Sequence, residues 1–79
     1  MNNKLAALIS DVFNLPISQI KPDLQQCDVG AWDSLKQMDL VMSLEREYLI
    51  TLEISDIVRM TSVAEIIAIL ESKGVDLAG

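Results

Sequence analysis

Leu5, Leu8, Ile9 and Val12 recur at i, i+3, i+4 and i+7, the apolar stripe of an amphipathic helix. Asn2 or Asn3 is placed to cap its start, as short polar side chains do. Pro16 stops it, because the residue before a proline avoids helical geometry. The pattern predicts a first helix over residues 3–14. A second pattern opens at Ser34 and runs to Tyr48. At about 100° per residue, Leu40, Val41, Leu44 and Tyr48 share one face. Leu35, Met38 and Met42 line a stripe beside it, with Asp39, Ser43 and Arg46 beyond. One apolar face anchors a helix to a small core, so the second stripe has two readings. Either the preceding loop covers it, or it stays exposed as a patch for a partner or cargo, a role that suits adaptable methionines.

The remaining segments complete the frame. Residues 15–33 read LPISQIKPDLQQCDVGAWD, irregular because of two prolines and a glycine. Ile17, Ile20, Leu24 and Val29 recur within it. A solvated linker has no use for four aliphatics, so the segment reads as a packed loop with one helical turn near residues 18–20. Cys27 reads there as a small packing residue, since a reactive thiol needs a neighbouring positive charge. Residues 49–53 connect, and residues 54–60 predict a short helix. In TSVAEIIAIL, Ser62 followed by Glu65 is a capping box; Val63, Ile66, Ile67 and Leu70 give the core stripe, and Gly74 ends the helix in left-handed geometry. The expectation is an all-α single domain over residues 1–79: a small bundle of three main helices and one short helix, with a long loop between helices 1 and 2.

Composition narrows the function. The chain has 79 residues and is 51% hydrophobic, too apolar for disorder. Its aromatics are Phe13, Trp32 and Tyr48, so aliphatics and methionine fill the core. Twelve acidic against six basic residues leave a net charge of −6. That argues against nucleic acid and favours partners with basic surfaces. No apolar run approaches the roughly 18 residues of a membrane span, and Asp11 interrupts the apolar start of the chain. The expected location is the cytoplasm, without membrane insertion. The chain has no histidine and one cysteine. Ser-His and Cys-His catalysis, a zinc site and an internal disulfide are thereby removed. Asp23, Asp28, Asp33 and Asp39 do not match a calcium-loop spacing. No metal site and no enzyme activity are expected.

Ser34, in GAWDSLKQ, stands out against this background. One reading is structural: Ser34 caps the second helix, Gln37 completes an S-x-x-Q capping box, and Asp33 adds negative charge at the positive end of the helix dipole. The other uses the same physics. A helix start presents unpaired N–H groups that tolerate an anion, so a hydroxyl at this junction can be joined to a phosphate. Local chemistry permits both.

The run DVGAWDSLKQMDLVMSLEREYLI is similar to the centre of the acyl carrier protein family, in which D-S-L opens the second helix; Asp33, Ser34 and Leu35 match it. LVMSLEREY continues the likeness, and MTSVAEIIAIL resembles the family's start of the last helix. The resemblance covers nearly the whole chain. It implies that Ser34 receives 4′-phosphopantetheine from coenzyme A, with a separate phosphopantetheinyl transferase and magnesium, and that Asp33 supports the modification. It also implies that the arm's thiol holds an acyl group as a thioester, and that Leu35, Met38 and Met42 meet partners, namely acyl-activating, acyltransferase or synthase enzymes. Lys36, Ile54 and Val58 are further candidate partner residues, with Ile54 and Val58 either widening an exposed docking patch or packing inside. An aminoacyl or peptidyl carrier stays open as an alternative, as does a helical adaptor without prosthetic group. Fatty acid, polyketide and polysaccharide-linked pathways stay open too. Trp32 before the motif resembles W-D-S-L carriers of specialised pathways. Lys36 stands where fatty-acid carriers often have an acid, Arg46 lies between Glu45 and Glu47, and Ile54 and Val58 are apolar where many relatives are polar. A start at Met1 and the single-domain length suggest a free-standing, monomeric carrier.

Overall fold

The computed structural model describes residues 2–77. Among them are four α-helices: α1 (Asn3–Phe13), α2 (Ser34–Tyr48), α3 (Ile54–Arg59) and α4 (Val63–Ser72). Asn2 caps α1, its side chain accepting from the Leu5 N–H at 3.0 Å. Leu5, Ile9 and Phe13 of α1 meet Leu40, Val41 and Leu44 of α2 and Val63, Ile66, Ile69 and Leu70 of α4 in one core. Leu8, Val12 and Tyr48 stand half-buried at its margin. In α4 the inward residue is Ile69, and Ile67 is only partly covered. Apolar residues surround α4 on nearly every side, so spacing alone does not select its inner face. Gly74 follows α4 with φ +88°, the left-handed geometry expected of a helix stop.

The long connection is ordered by bonds rather than by regular structure. It holds two 3-10 turns, Ile17–Gln19 and Gln26–Asp28. Ile20, Val29 and Trp32 are buried and Leu24 half-buried, so the segment is packed. Ile17 departs from the expectation and is exposed. The Ile20 N–H closes the first turn onto the Ile17 carbonyl at 3.0 Å, and a turn this short offers the core one side chain, which is Ile20. Cys27 also departs: it is exposed rather than packed. The second turn is bonded to the start of α4 through Gln26, which faces inward and leaves Cys27 outside.

The same loop closes the N-terminus of α4. The Val63 N–H donates to the Leu24 carbonyl at 2.9 Å and the Ala64 N–H to the Pro22 carbonyl at 3.0 Å. The Glu65 N–H donates to Ser62 Oγ at 3.1 Å. Groups that a helix cannot satisfy internally thus bind the loop to the bundle. The Glu65 carboxylate does not complete the capping box but lies 3.7 Å from Arg59. Among the described residues no helix is long and apolar enough to cross a membrane, and no cluster of His, Cys, Asp or Glu could hold a metal ion.

The short helix α3 is attached differently, because none of its residues is fully buried. Leu52 before it and Met60 after it enter the core. Asp56 accepts from the Glu53 N–H at 3.0 Å and lies 2.9 Å from Lys73 Nζ, tying the start of α3 to the end of α4. The Lys73 bond, and then the Glu53 N–H, hold the Asp56 carboxyl below its ordinary value of 3.8. A carboxyl lowered in the folded state stabilises the fold fully above its unfolded value, and that contribution is lost as pH falls through the folded one. Denaturation between about pH 6 and pH 2.5 should therefore show acid destabilisation that sets in as pH falls through the ordinary carboxylate range and continues below it. Asp56→Asn should flatten that part of the curve, and identical slopes for both proteins would show that the pair contributes nothing.

Candidate functional site

At the start of α2 the cap lies one residue earlier than Ser34. Asp33, with extended backbone (φ −101°, ψ −172°), is the N-cap. Its carboxylate accepts from the Lys36 N–H at 2.9 Å and its carbonyl from the Gln37 N–H at 2.8 Å. Aspartate and serine cap about equally well, and the carboxylate adds favourable charge at the positive end of the helix. Gln37 does not reach back to form the S-x-x-Q box. Its amide oxygen accepts from the Trp32 indole N–H, and its amide nitrogen donates to the carbonyls of Ile57 at 2.9 Å and Met60 at 3.3 Å. The structural reading of Ser34 as the helix cap is thereby overturned.

Ser34 is the first residue inside the helix and is exposed. Among the described residues nothing hydrogen-bonds its hydroxyl, and the N–H groups of Ser34 and Leu35 have no protein acceptor. The site thus combines a free primary hydroxyl with the positive end of a 15-residue helix. A phosphate ester on that hydroxyl fits: the residue is exposed, and the ester's charge falls where the helix favours an anion.

The floor under this junction is packed and hydrogen-bonded. Trp32 is buried, its ring 4.7 Å from that of Phe13. Its carbonyl accepts from the Gln26 side-chain amide at 3.1 Å. Sequence periodicity did not assign Trp32 to the core, because it lies in the loop, outside any helical stripe. Its signal is chemical: a scarce aromatic whose N–H needs a buried partner.

The second stripe of α2 is not covered by the loop. Leu35 is 80% exposed, Met38 48% and Met42 55%; on α3, Ile54 is 80% and Val58 70% exposed. Ile54 and Val58 are four residues apart and share a helix face. Lys36 Nζ lies 4.0 Å from the Asp39 carboxylate in a pair open to solvent, which holds it only weakly. A small molecule seldom leaves this many large apolar side chains in water without a partner to cover them.

The assignment of the cap has a direct consequence. Asp33→Ala should cost about 1 kcal/mol of stability, whereas Ser34→Ala should stay within about 0.5 kcal/mol of the parent. Urea denaturation of both variants measures this, and the opposite order would return the cap to Ser34.

Comparison with known proteins agrees with this geometry. The family model for the phosphopantetheine attachment site matches residues 3–70, from α1 into α4. A protein of Thermotoga maritima named acyl carrier protein is 28% identical over 71 residues, which cover 90% of this chain and 88% of the relative. The chain belongs to the phosphopantetheine-binding acyl carrier protein family, non-catalytic carriers that bear covalently attached 4′-phosphopantetheine.

Proposed function

We propose that Ser34 is the attachment residue and that the protein is a free-standing, single-domain carrier of acyl groups. The observation that supports this best is the release of the Ser34 hydroxyl from capping: Asp33 does that work, and Ser34 is left exposed at the helix start. In the loading step, Ser34 Oγ forms a bond to the phosphorus bearing the pantetheine of coenzyme A. The pyrophosphate bond breaks, adenosine 3′,5′-bisphosphate leaves, and the hydroxyl proton passes to a base of the transferase. The attached arm supplies a thiol to which an acyl cargo is joined as a thioester. The chain itself offers the hydroxyl, a helix end that favours the phosphate's charge, and a surface for recognition.

Asp33 supports loading by fixing the helix start, and Leu35, Met38, Met42, Ile54 and Val58 supply apolar contact to partners, with Lys36 at the edge. The partners are a phosphopantetheinyl transferase and the acyl-activating, acyltransferase or synthase enzymes that load and use the cargo. Tethering raises the effective concentration of cargo at a docked enzyme. Apolar contact among these residues makes docking less dependent on salt than a purely ionic interface.

Incubation with coenzyme A, magnesium and a broad-specificity transferase should add one phosphopantetheine to the parent protein by intact mass and none to Ser34→Asp or Ser34→Ala. An unmodified parent that is folded, or a modified Ser34→Ala, would reject the assignment. Under the rival adaptor reading, Ser34→Asp keeps full activity in the producing cell; under the carrier reading it abolishes it.

A further inference from the structure

Gln37 lies in α2, three residues past Ser34, and its half-buried side chain makes three hydrogen bonds. The amide orientation follows from its partners: the oxygen meets the Trp32 donor, and the NH2 group meets the Ile57 and Met60 acceptors. Those carbonyls lie at the end of α3, where the Ile57 carbonyl also receives the Met60 N–H at 3.2 Å and the Met60 carbonyl lies just beyond the helix. A closed circuit results. Gln37 binds Met60; the next residue, Thr61, accepts from the Gln26 N–H at 2.8 Å; the Gln26 side chain donates to the Trp32 carbonyl at 3.1 Å; and the Trp32 indole returns to Gln37. Every member of the circuit except Thr61 is at least partly buried.

Besides this circuit, that end of α3 is held by the buried Met60 and the half-buried Ile57. None of the residues of α3 is fully buried, the Asp56–Lys73 bond sits nearer its start, and Arg59 meets Glu65 only in an exposed pair. Gln37 is flanked in sequence by Lys36 and Met38, and the Ile57 carbonyl belongs to the residue before Val58. The bond therefore joins the two helices at the point where each presents exposed apolar side chains.

We infer that Gln37 is a positioning residue: by bonding Trp32 and the end of α3 together, it sets the Ile54 and Val58 face against the Leu35, Met38 and Met42 stripe, so that a partner enzyme meets one preformed surface. This rests on the carrier reading of Ser34. A preformed surface is not ordered anew at each encounter. Without Gln37, α3 stays attached through Leu52, Met60 and Asp56 but samples other positions, and every docking event must select the competent one.

The test compares the full chain with Gln37→Leu, which removes all three bonds, and Gln37→Glu, which keeps the acceptor for Trp32 and loses the donor to α3. Two readouts are taken. One is 15N relaxation dispersion of the backbone amides; the other is steady-state loading by the transferase with the carrier concentration varied. In both variants residues 54–60 should gain microsecond-to-millisecond exchange while α1 and α4 stay quiet. The KM for the carrier should rise roughly tenfold, with kcat within about twofold. Should Gln37→Leu fail to fold, Gln37→Glu carries the test alone, since its bond to Trp32 is retained. Unchanged relaxation in α3 would overturn the inference, and so would a quiet α3 with a raised KM, which would make Gln37 a direct partner contact. A mobile α3 with unchanged KM would overturn its part in docking. A parent protein that is not loaded at all rejects the Ser34 reading instead, and the relaxation arm then decides alone whether Gln37 holds α3.

Discussion

A helix begins with backbone N–H groups that it cannot satisfy itself, and the way this small protein meets that constraint shapes the rest of it. At α4 the answer is the long loop, whose Pro22 and Leu24 carbonyls receive the first N–H groups while Ser62 takes the next. At α2 the answer is Asp33 alone, which accepts from Lys36 through its side chain and from Gln37 through its carbonyl. The first solution turns an irregular segment into a fixed wall. The second leaves the neighbouring serine without a structural duty. Each cap contributes about 1 kcal/mol, a sizeable fraction of the few kcal/mol that separate a domain of this size from unfolding.

The bundle divides into a rigid part and a lightly held part. Leu5, Ile9, Leu40, Leu44, Ile66 and Leu70 are fully buried and join α1, α2 and α4. The short α3 contributes no fully buried residue and is fixed mainly through its flanks and polar ties. Hydrogen bonds of this kind are worth about 1 kcal/mol each, far less than a packed leucine, so α3 is the element most readily displaced. It also carries two of the exposed aliphatics, Ile54 and Val58. Exposed apolar surface and weak attachment thus coincide on one element, while the serine sits on α2, whose Leu40, Val41 and Leu44 are buried in the core.

Much of this was legible from spacing. The α1 and α2 stripes, the stop at Gly74 and the short helix near residue 54 follow from periodicity and end signals. The exposed stripe of Leu35, Met38 and Met42 was visible as surplus apolar surface, although only the folded chain decides whether a loop covers it. What misled were residues with two competent solutions. Asp33 and Ser34 can each cap α2; the folded chain uses Asp33, and Gln37, the box partner that Ser34 would need, bonds Trp32 and α3 instead. Cys27 and Ile17 were assigned by composition to the interior, but short turns with one inward position place them outside. Trp32 entered the core through a loop, where periodicity carries no information. The proposal that Ser34 bears the prosthetic group came from likeness to a family, because local physics permitted a cap equally well.

The most direct measurement is tandem mass spectrometry of the loaded protein, with the phosphopantetheine located along the chain. The chain offers serines at Ser10, Ser18, Ser34, Ser43, Ser55, Ser62 and Ser72. All of the modification should reside on the fragment that contains Ser34. Modification of any other serine would contradict the account, whatever the rest of the fold resembles.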